Sequence, residues 1–555
     1  MMANSSAARP GAAPGRAAPD HHVAIIGAGP GGIAAGVKLR QAGIDDFVIL
    51  DRDTGFGGSW HENRYPGVCV DIPSLAYQYS FARNAKWSRV FAPGAEVRDY
   101  HSNVARRFDL HRHARFGVDV VSERWDDAAH LWRLHTAGGE VITARFVINA
   151  VGAFVNPKPD GGIPGLDRFR GKIQRPSSWD HDWDHTGKRV AVIGTGPSSI
   201  QITPSIAPEV AALTVFQRTP VWCLPKPNPA VSKPVQALLG VPGVQSGLHG
   251  AALVGMDALL RTAAGTPPSL TKAAMRVIDK TTIAAHRQLV RQAVRDPATA
   301  AALTPTHGPL AKRPSFSSDY LQAFNRDNVA LVTERIETMT PKGIRTADGG
   351  EHEFDMIVVA TGYEVFSDPE TYRTGMVVGR DGMDLGEFYR EHGMQSYEAV
   401  ALPKLPNRWT LVGPYSWTGS GWHAFVEMTS HHAVRAIREA GRRGATRAEV
   451  RQDAHDAYHA KILRRSEAIR WYFNELNGHV PTYYRNSQGD STYVRPSGFF
   501  QARHGSHRFP FEHYRFDVLR PAAAAPSSGA TTRAETGDKP TADTDRTPVT
   551  VASNA

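Results

Sequence analysis

Short apolar blocks along this chain run straight into glycine clusters and then into helix-period segments. Val23-Ala24-Ile25-Ile26 is one such block. Gly27-Ala28-Gly29-Pro30-Gly31-Gly32 follows it, then a helical pattern, then a second apolar block from Phe47 to Leu50. Strand, glycine turn, helix and strand make a βαβ unit. The same order returns much later. Arg189 to Ile193 reads as a strand, Gly194-Thr195-Gly196-Pro197-Ser198-Ser199 follows, and a helical pattern leads to Leu213–Phe216. Two such units, alike in pattern but far apart, predict two nucleotide-binding domains rather than a short-period repeat.

Between Pro225 and Ala302 the texture changes to Leu, Ala and Arg at helical spacing with proline breaks. Strand character resumes at Val329–Val332 and at Phe354–Ala360. A chain of 555 residues exceeds one hydrophobic core. The expected fold class is α/β, with two Rossmann-like dinucleotide-binding domains and a helical insert. The first domain is discontinuous, at 21–155 and 363–520, and the second takes 156–224 and 311–362. The insert spans 225–310. The Ala/Pro/Gly-rich stretch 1–20 and the Ala/Pro/Ser/Thr-rich stretch 521–555 are expected to be a disordered arm and tail.

In the first unit Gly27 permits the tight turn, Gly29 lets a pyrophosphate approach the backbone, and Gly32 lets the helix pack on the sheet. Asp51 closes the second strand, twenty-four residues after Gly27. An acid there accepts hydrogen bonds from ribose hydroxyls and repels a 2′-phosphate. In the second unit Ser199 replaces the third glycine. Arg218 stands at the strand end where the first unit has its acid. A guanidinium there suits a 2′-phosphate, although a solvated surface arginine is the plain alternative. One acid-tipped and one arginine-tipped fold imply hydride transfer from NADPH to FAD. What the reduced flavin then does is not written in the folds.

Composition narrows the field. The formal charge is +10, but no block of five or six basic residues occurs, so no nucleic-acid partner is expected. Phosphate-rich cofactors account for some of the charge. Cys69 and Cys223 are the only cysteines, which excludes a disulfide framework, a Cys/His metal cluster and the dithiol relay of CxxC flavoenzymes. No metal is expected. No apolar run reaches the roughly 18 residues that span a bilayer, and the N-terminus lacks a signal-type apolar core. A cytoplasmic protein without a membrane partner, a monomer or weak homo-oligomer, is the expectation.

After the first unit runs Gly57-Gly58-Ser59-Trp60-His61-Glu62-Asn63-Arg64-Tyr65-Pro66-Gly67-Val68-Cys69-Val70-Asp71. It resembles the GGxWxxxxYPGxxxD signature of the Baeyer–Villiger monooxygenases at every fixed position. Ala311-Lys312-Arg313-Pro314 ahead of Phe324-Asn325-Arg326-Asp327-Asn328-Val329, and Ala360-Thr361-Gly362-Tyr363, resemble further segments of that family. The likeness covers roughly residues 20–520. One position departs. In the family's FxGxxxHxxxW fingerprint Phe169, Gly171, Trp179 and the following Asp180 match, but Arg175 holds the histidine position. Arginine keeps its charge at pH values where histidine loses it.

The resemblance implies roles. Gly58, Trp60, Asp71 and Tyr77 lie around the flavin. Thr195, Gly196, Ser198, Ser199 and Gln201 hold the nicotinamide cofactor's pyrophosphate end, and Arg218, Thr219 and Lys312 its 2′-phosphate. Arg313 is the catalytic cation and a cofactor contact, with Asp71 as its ion-pair partner. Tyr415, Trp417 and Trp422 are candidates for an apolar wall or for core packing. The implied reaction takes a small-molecule ketone and O2 to an ester or lactone through a C4a-peroxyflavin. Oxygenation of nitrogen or sulfur is the main alternative, kept open by Arg175. A flavin reductase without oxygen insertion and a non-catalytic binding protein are further ones.

Overall fold

The computed structural model describes residues 18–159, 161–265, 267–419 and 421–519. The arm and tail expected at 1–20 and 521–555 lie outside these residues, except for 18–20. Asp20 is tied to the first sheet. Its N–H donates to Thr143 Oγ1 at 2.9 Å and its carboxylate accepts from Thr143 N–H at 2.8 Å. These bonds fasten it to the sheet edge.

The first βαβ unit consists of β1 (His21–Ile26), α1 (Pro30–Gln41) and β2 (Phe47–Asp51). β1 is apolar and buried from Val23 onward because it is central, running parallel between β2 and the strand Val141–Asn149. A parallel strand covered on both faces reads as a continuous apolar run. α1 starts on Pro30, whose missing N–H costs nothing in a first helical turn. The antiparallel meander Val120–Asp126, Leu131–Thr136 and Val141–Asn149 extends the sheet. Ala114–Phe116 flanks β2, and Val377–Val378 and Arg408–Thr410 join from the far end of the chain. Only β1 and β2 of this eight-stranded sheet belong to elements read from the sequence.

The second unit is β3 (Arg189–Ile193), α2 (Pro197–Ile206) and β4 (Ala212–Phe216). Its five-stranded sheet is parallel throughout, in the order Val329–Val332, β4, β3, Met356–Val359, Lys172–Gln174. The helices α3 (Lys233–Gly240), α4 (Val244–Gly265) and α5 (Pro268–Ala293) form the insert. The chain leaves the sheet after β4 and returns on the neighbouring strand, with Leu213 opposite Val329. The long excursion therefore leaves the sheet unbroken.

Two segments connect the halves, Phe154–Pro157 on the way out and Tyr363–Val365 on the way back. They pair with each other antiparallel. The C-terminal part adds α6 (Trp422–Arg442), packed on α1, and α7 (Phe499–Arg508), packed beside both α6 and α4.

Candidate active site

Both glycine turns are built alike. Gly27 and Gly194 have the same φ of +107°, a region that favours glycine. A Cβ on Gly27 would meet the Ala150 carbonyl oxygen at 2.7 Å, and one on Gly194 the Ala360 carbonyl oxygen at 2.5 Å. Each turn is pressed against the end of a third strand. Ala150-Val151-Gly152 is thus the first unit's counterpart of Ala360-Thr361-Gly362, which alone was visible as a motif. Gly29 and Gly196 differ from these. A Cβ on Gly29 would meet only Gly58, at 3.5 Å, and one on Gly196 nothing within 4 Å. These open loops at the starts of α1 and α2 present bare N–H groups and the positive end of the helix dipole. They fit the pyrophosphates of two dinucleotides.

Both loops open onto one cleft of about 3050 Å³, several times the roughly 300–1,000 Å³ of an ordinary small-molecule site. Gly27, Gly29, Asp51, Gly58, Trp60, Asp71, Tyr77, Gly194, Thr195, Gly196, Ser198, Arg218, Thr219, Lys312 and Arg313 all line it. Gly32 does not. A Cβ there would fall 1.9 Å from the Gly27 carbonyl oxygen, so its work is close packing behind the turn. Ser199 is fully buried with its hydroxyl unpartnered, also behind the cleft wall. Gln201 points elsewhere. Its amide oxygen accepts from Tyr65 Oη at 3.0 Å, and its amide nitrogen donates to the Cys69 carbonyl at 3.0 Å.

That placement explains the long glycine–tyrosine signature. Gly67 has φ +80°, and a Cβ there would strike Ser205 Oγ and the Gln201 carbonyl on α2 at 2.2 and 2.6 Å. Tyr65 shares a hydrophobic cluster with Trp179. The motif's two ends face the cleft through Gly58, Trp60 and Asp71, while its middle docks on the second unit. Arg175 lies in the same region. Its guanidinium donates to the Lys158 and Pro159 carbonyls at 3.2 and 2.6 Å, fastening the outgoing link.

Arg313 and Asp71, 242 positions apart, form a 2.5 Å ion pair. The Arg313 side chain is 37 % exposed, toward the cleft it lines, and Asp71 20 %. Desolvation is the largest influence and works against the guanidinium charge, but the Asp71 carboxylate, with smaller contributions from Tyr483, Tyr493 and Tyr484, holds Arg313 well above its ordinary pKa. Three tyrosines within electrostatic reach of Arg313 were not marked by any sequence signal. Tyr483, Tyr484 and Tyr493 stand with ring centroids 4.7–5.2 Å apart and line the cleft. Trp417 lies against Tyr493 at 6.0 Å, and Phe154 against Tyr483 at 5.7 Å. Trp417 and Trp422 face the cleft, whereas Tyr415 is core.

Lys312, the chain neighbour of Arg313, is pushed down to about 8, by burial first and then by the nearby Arg218. Among the described residues neither cation has an acidic partner. Thr195 Oγ1 donates to the Thr219 carbonyl at 2.9 Å, tying the second glycine loop to this corner. In the first unit Asp51 accepts from Ala28 N–H at 2.5 Å and from Asp53 N–H at 2.9 Å. Trp60 Nε1 donates to Tyr77 Oη at 2.8 Å, and burial pushes that phenol up to about 12.

Residues 24–237 match the family described as pyridine nucleotide-disulphide oxidoreductase. A Baeyer–Villiger monooxygenase of Streptomyces coelicolor is 36 % identical over 521 residues, covering 93 % of this chain and 96 % of that protein. One of Pseudomonas aeruginosa is 34 % identical, covering 81 % and 83 %. The crystal structure of OTEMO in complex with FAD and NADP superposes with a TM-score of 0.77 at 26 % identity, over 90 % of this chain and all of that one. An oxidized steroid monooxygenase bound to NADP superposes with 0.75 at 28 % identity, over 90 % and 99 %. Kinship of this extent places the chain in the Baeyer–Villiger monooxygenase family, as a flavin-dependent oxygen-inserting enzyme that works with FAD and NADP.

Proposed function

We propose that this enzyme inserts one oxygen atom of O2 beside the carbonyl of an apolar ketone, giving an ester or lactone, with Arg313 as its catalytic cation. The Arg313–Asp71 pair, in the cleft onto which both glycine loops open, carries this reading. The chain at 21–155 and 363–520 holds FAD, and that at 156–224 and 311–362 holds NADPH. Bound FAD, reduced by NADPH, supplies the electrons that activate O2. Gly29 and Gly196 admit the two pyrophosphates, Asp51 takes the flavin nucleotide's ribose, and Lys312, Arg218 and Thr219 take the 2′-phosphate.

Around the reacting atoms the protein's work is electrostatic. Arg313 holds negative charge that develops beside the flavin, where poor solvation makes a fixed cation strong. Asp71 fixes the plane of that guanidinium. Tyr483, Tyr484, Tyr493 and Trp417 offer an aromatic wall to the substrate and exclude water. OTEMO, cyclohexanone monooxygenase and a polycyclic ketone monooxygenase share the fold, which supports a carbonyl substrate.

Arg175 favours a second reading, oxygenation of nitrogen or sulfur, because it departs from the fingerprint between the domains. A panel of cyclic ketones and thioethers under NADPH and O2, with mass-spectrometric detection of one added oxygen, separates the two. Esters from the ketones support insertion. Sulfoxides with no ester product overturn it.

A further inference from the structure

The surface of the helical insert has an unusual makeup. Between Lys233 and Arg295 there are eight basic residues and only two acids, Asp257 and Asp279. Both acids are buried, at 4 % and 6 % exposure. From Pro234 to Met256 no Lys, Arg, Asp or Glu occurs. A helix on a protein surface ordinarily shows water a polar face, but among the described residues α4 exposes Leu248, Val254 and small residues, with Ser246 as its one exposed polar side chain. Leu238, Val241, Leu248, Val254, Leu270 and Val277 are 49–62 % exposed. Among the described residues no single helix is long and apolar enough to cross a membrane. α3 and the first part of α4 reach that apolarity only together, bent by 87°. The bend sets the two apolar arms at nearly a right angle.

We propose that α3–α5 dock this enzyme on an anionic phospholipid surface. Apolar residues enter the headgroup boundary and the surrounding cations meet the lipid phosphates, as in amphipathic interfacial helices. Charge decides the occupant. The exposed charges of α5 are basic, Arg276, Lys280, Arg287 and Arg291. The adjoining α7 carries no acid and exposes Arg503 and Arg508. A twofold dimer would set this patch against itself, cation against cation, with no exposed acid on the insert helices to answer. A nucleic acid offers phosphates but nothing for the exposed leucines and valines. An anionic bilayer answers both, and each cation near it strengthens binding about fivefold. The absence of a spanning run excluded a membrane partner only for a chain that must cross. α5 also lines the cleft, through Thr271, Ala274, Met275 and Ile278. A lipophilic substrate dissolved in the bilayer then has its entry beside the docked helices.

The test reads binding, so it stands apart from the reaction assigned above. Full-length FAD-loaded protein is sedimented with vesicles of phosphatidylcholine alone or with about one-quarter phosphatidylglycerol. Expected is co-sedimentation with the anionic vesicles, weakened by salt, and little with phosphatidylcholine. Leu238→Asp with Leu248→Asp should weaken it about tenfold or more, at unchanged flavin content and melting temperature. Lys280→Glu with Arg287→Glu, which leaves the apolar face intact, should abolish the preference for anionic lipid. Failure to bind anionic vesicles overturns the proposal, as does binding that neither double variant changes. A solution dimer dissociated by the leucine pair would assign the face to a second copy instead.

Discussion

Lys312 and Arg218 show what a pair of unanswered cations does. Burial and Arg218 together hold Lys312 down to about 8, so near that pH its proton is easily lost. A 2′-phosphate dianion set between the two reverses this and draws the proton back. Binding therefore takes up a proton once pH rises past about 8, and affinity for NADP should fall there. NADH, which lacks that phosphate, should show no such fall, and Lys312→Arg should flatten it. Titration of flavin absorbance with NADP at pH values either side of 8 reads this directly; a flat profile in the parent protein would place Lys312 elsewhere. Arg218→Ala removes a charged hydrogen-bond partner worth about 1.5–3 kcal/mol. It should raise KM for NADPH at least about tenfold while sparing that for NADH. Equal effects on both cofactors would dismiss the assignment.

The glycine turns were legible at the scale of elements because strand, turn, helix and strand-end residue fall within one short window. Gly27, Gly29 and Asp51 declare one another. Most of the first sheet was not legible. Val377–Val378 is two residues long and owes its strand to pairing with Val120–Asp126, a neighbour distant in sequence. The tyrosines at 483, 484 and 493 meet Arg313 only after the chain has returned through the first domain, so no local pattern marks them. Gln201 shows what a local pattern leaves out. Its helix position resembles a pyrophosphate contact, but tertiary packing turns its amide to the Tyr65–Cys69 loop. Arg175 belongs to this scale too, since its two bonds hold the segment joining the domains. Arg175→His cannot reproduce both, because an imidazole lacks the guanidinium's fork of donors. The ratio of product formed to NADPH consumed should then change, with flavin content unaltered. Unchanged coupling and unchanged hydrogen peroxide release would make Arg175 a bystander.

Over the whole molecule the proposed reaction centre draws on parts that no single proposed domain contains. Asp71 comes from the signature loop of the first unit, Arg313 from the segment after the helical insert, and the aromatic wall from the C-terminal part. The ion pair joins the first two and the wall lines the same cleft, which makes Arg313→Ala the most informative substitution. The variant keeps both glycine loops, so it should fold, bind FAD and bleach under NADPH without oxygen. It loses the fixed cation beside the site proposed for the developing charge. By comparison with removal of one anion-stabilising donor in other enzymes, about 2.7–4 kcal/mol, product formation should fall roughly 10²–10³-fold. Oxygen consumption should persist as hydrogen peroxide. Asp71 is left as a partly buried carboxylate without its cation, so a general loss of stability is the competing explanation. Arg313→Lys separates the two. Lysine restores the charge and the partner for Asp71 but not the planar fork, so it should recover the melting temperature fully and the product yield only in part. Stopped-flow absorbance under anaerobic and then aerated conditions, with product and peroxide measured on the same samples, reads each half of the reaction. Normal product yield from Arg313→Ala would remove Arg313 from catalysis and leave its pair with Asp71 as a strut between domains.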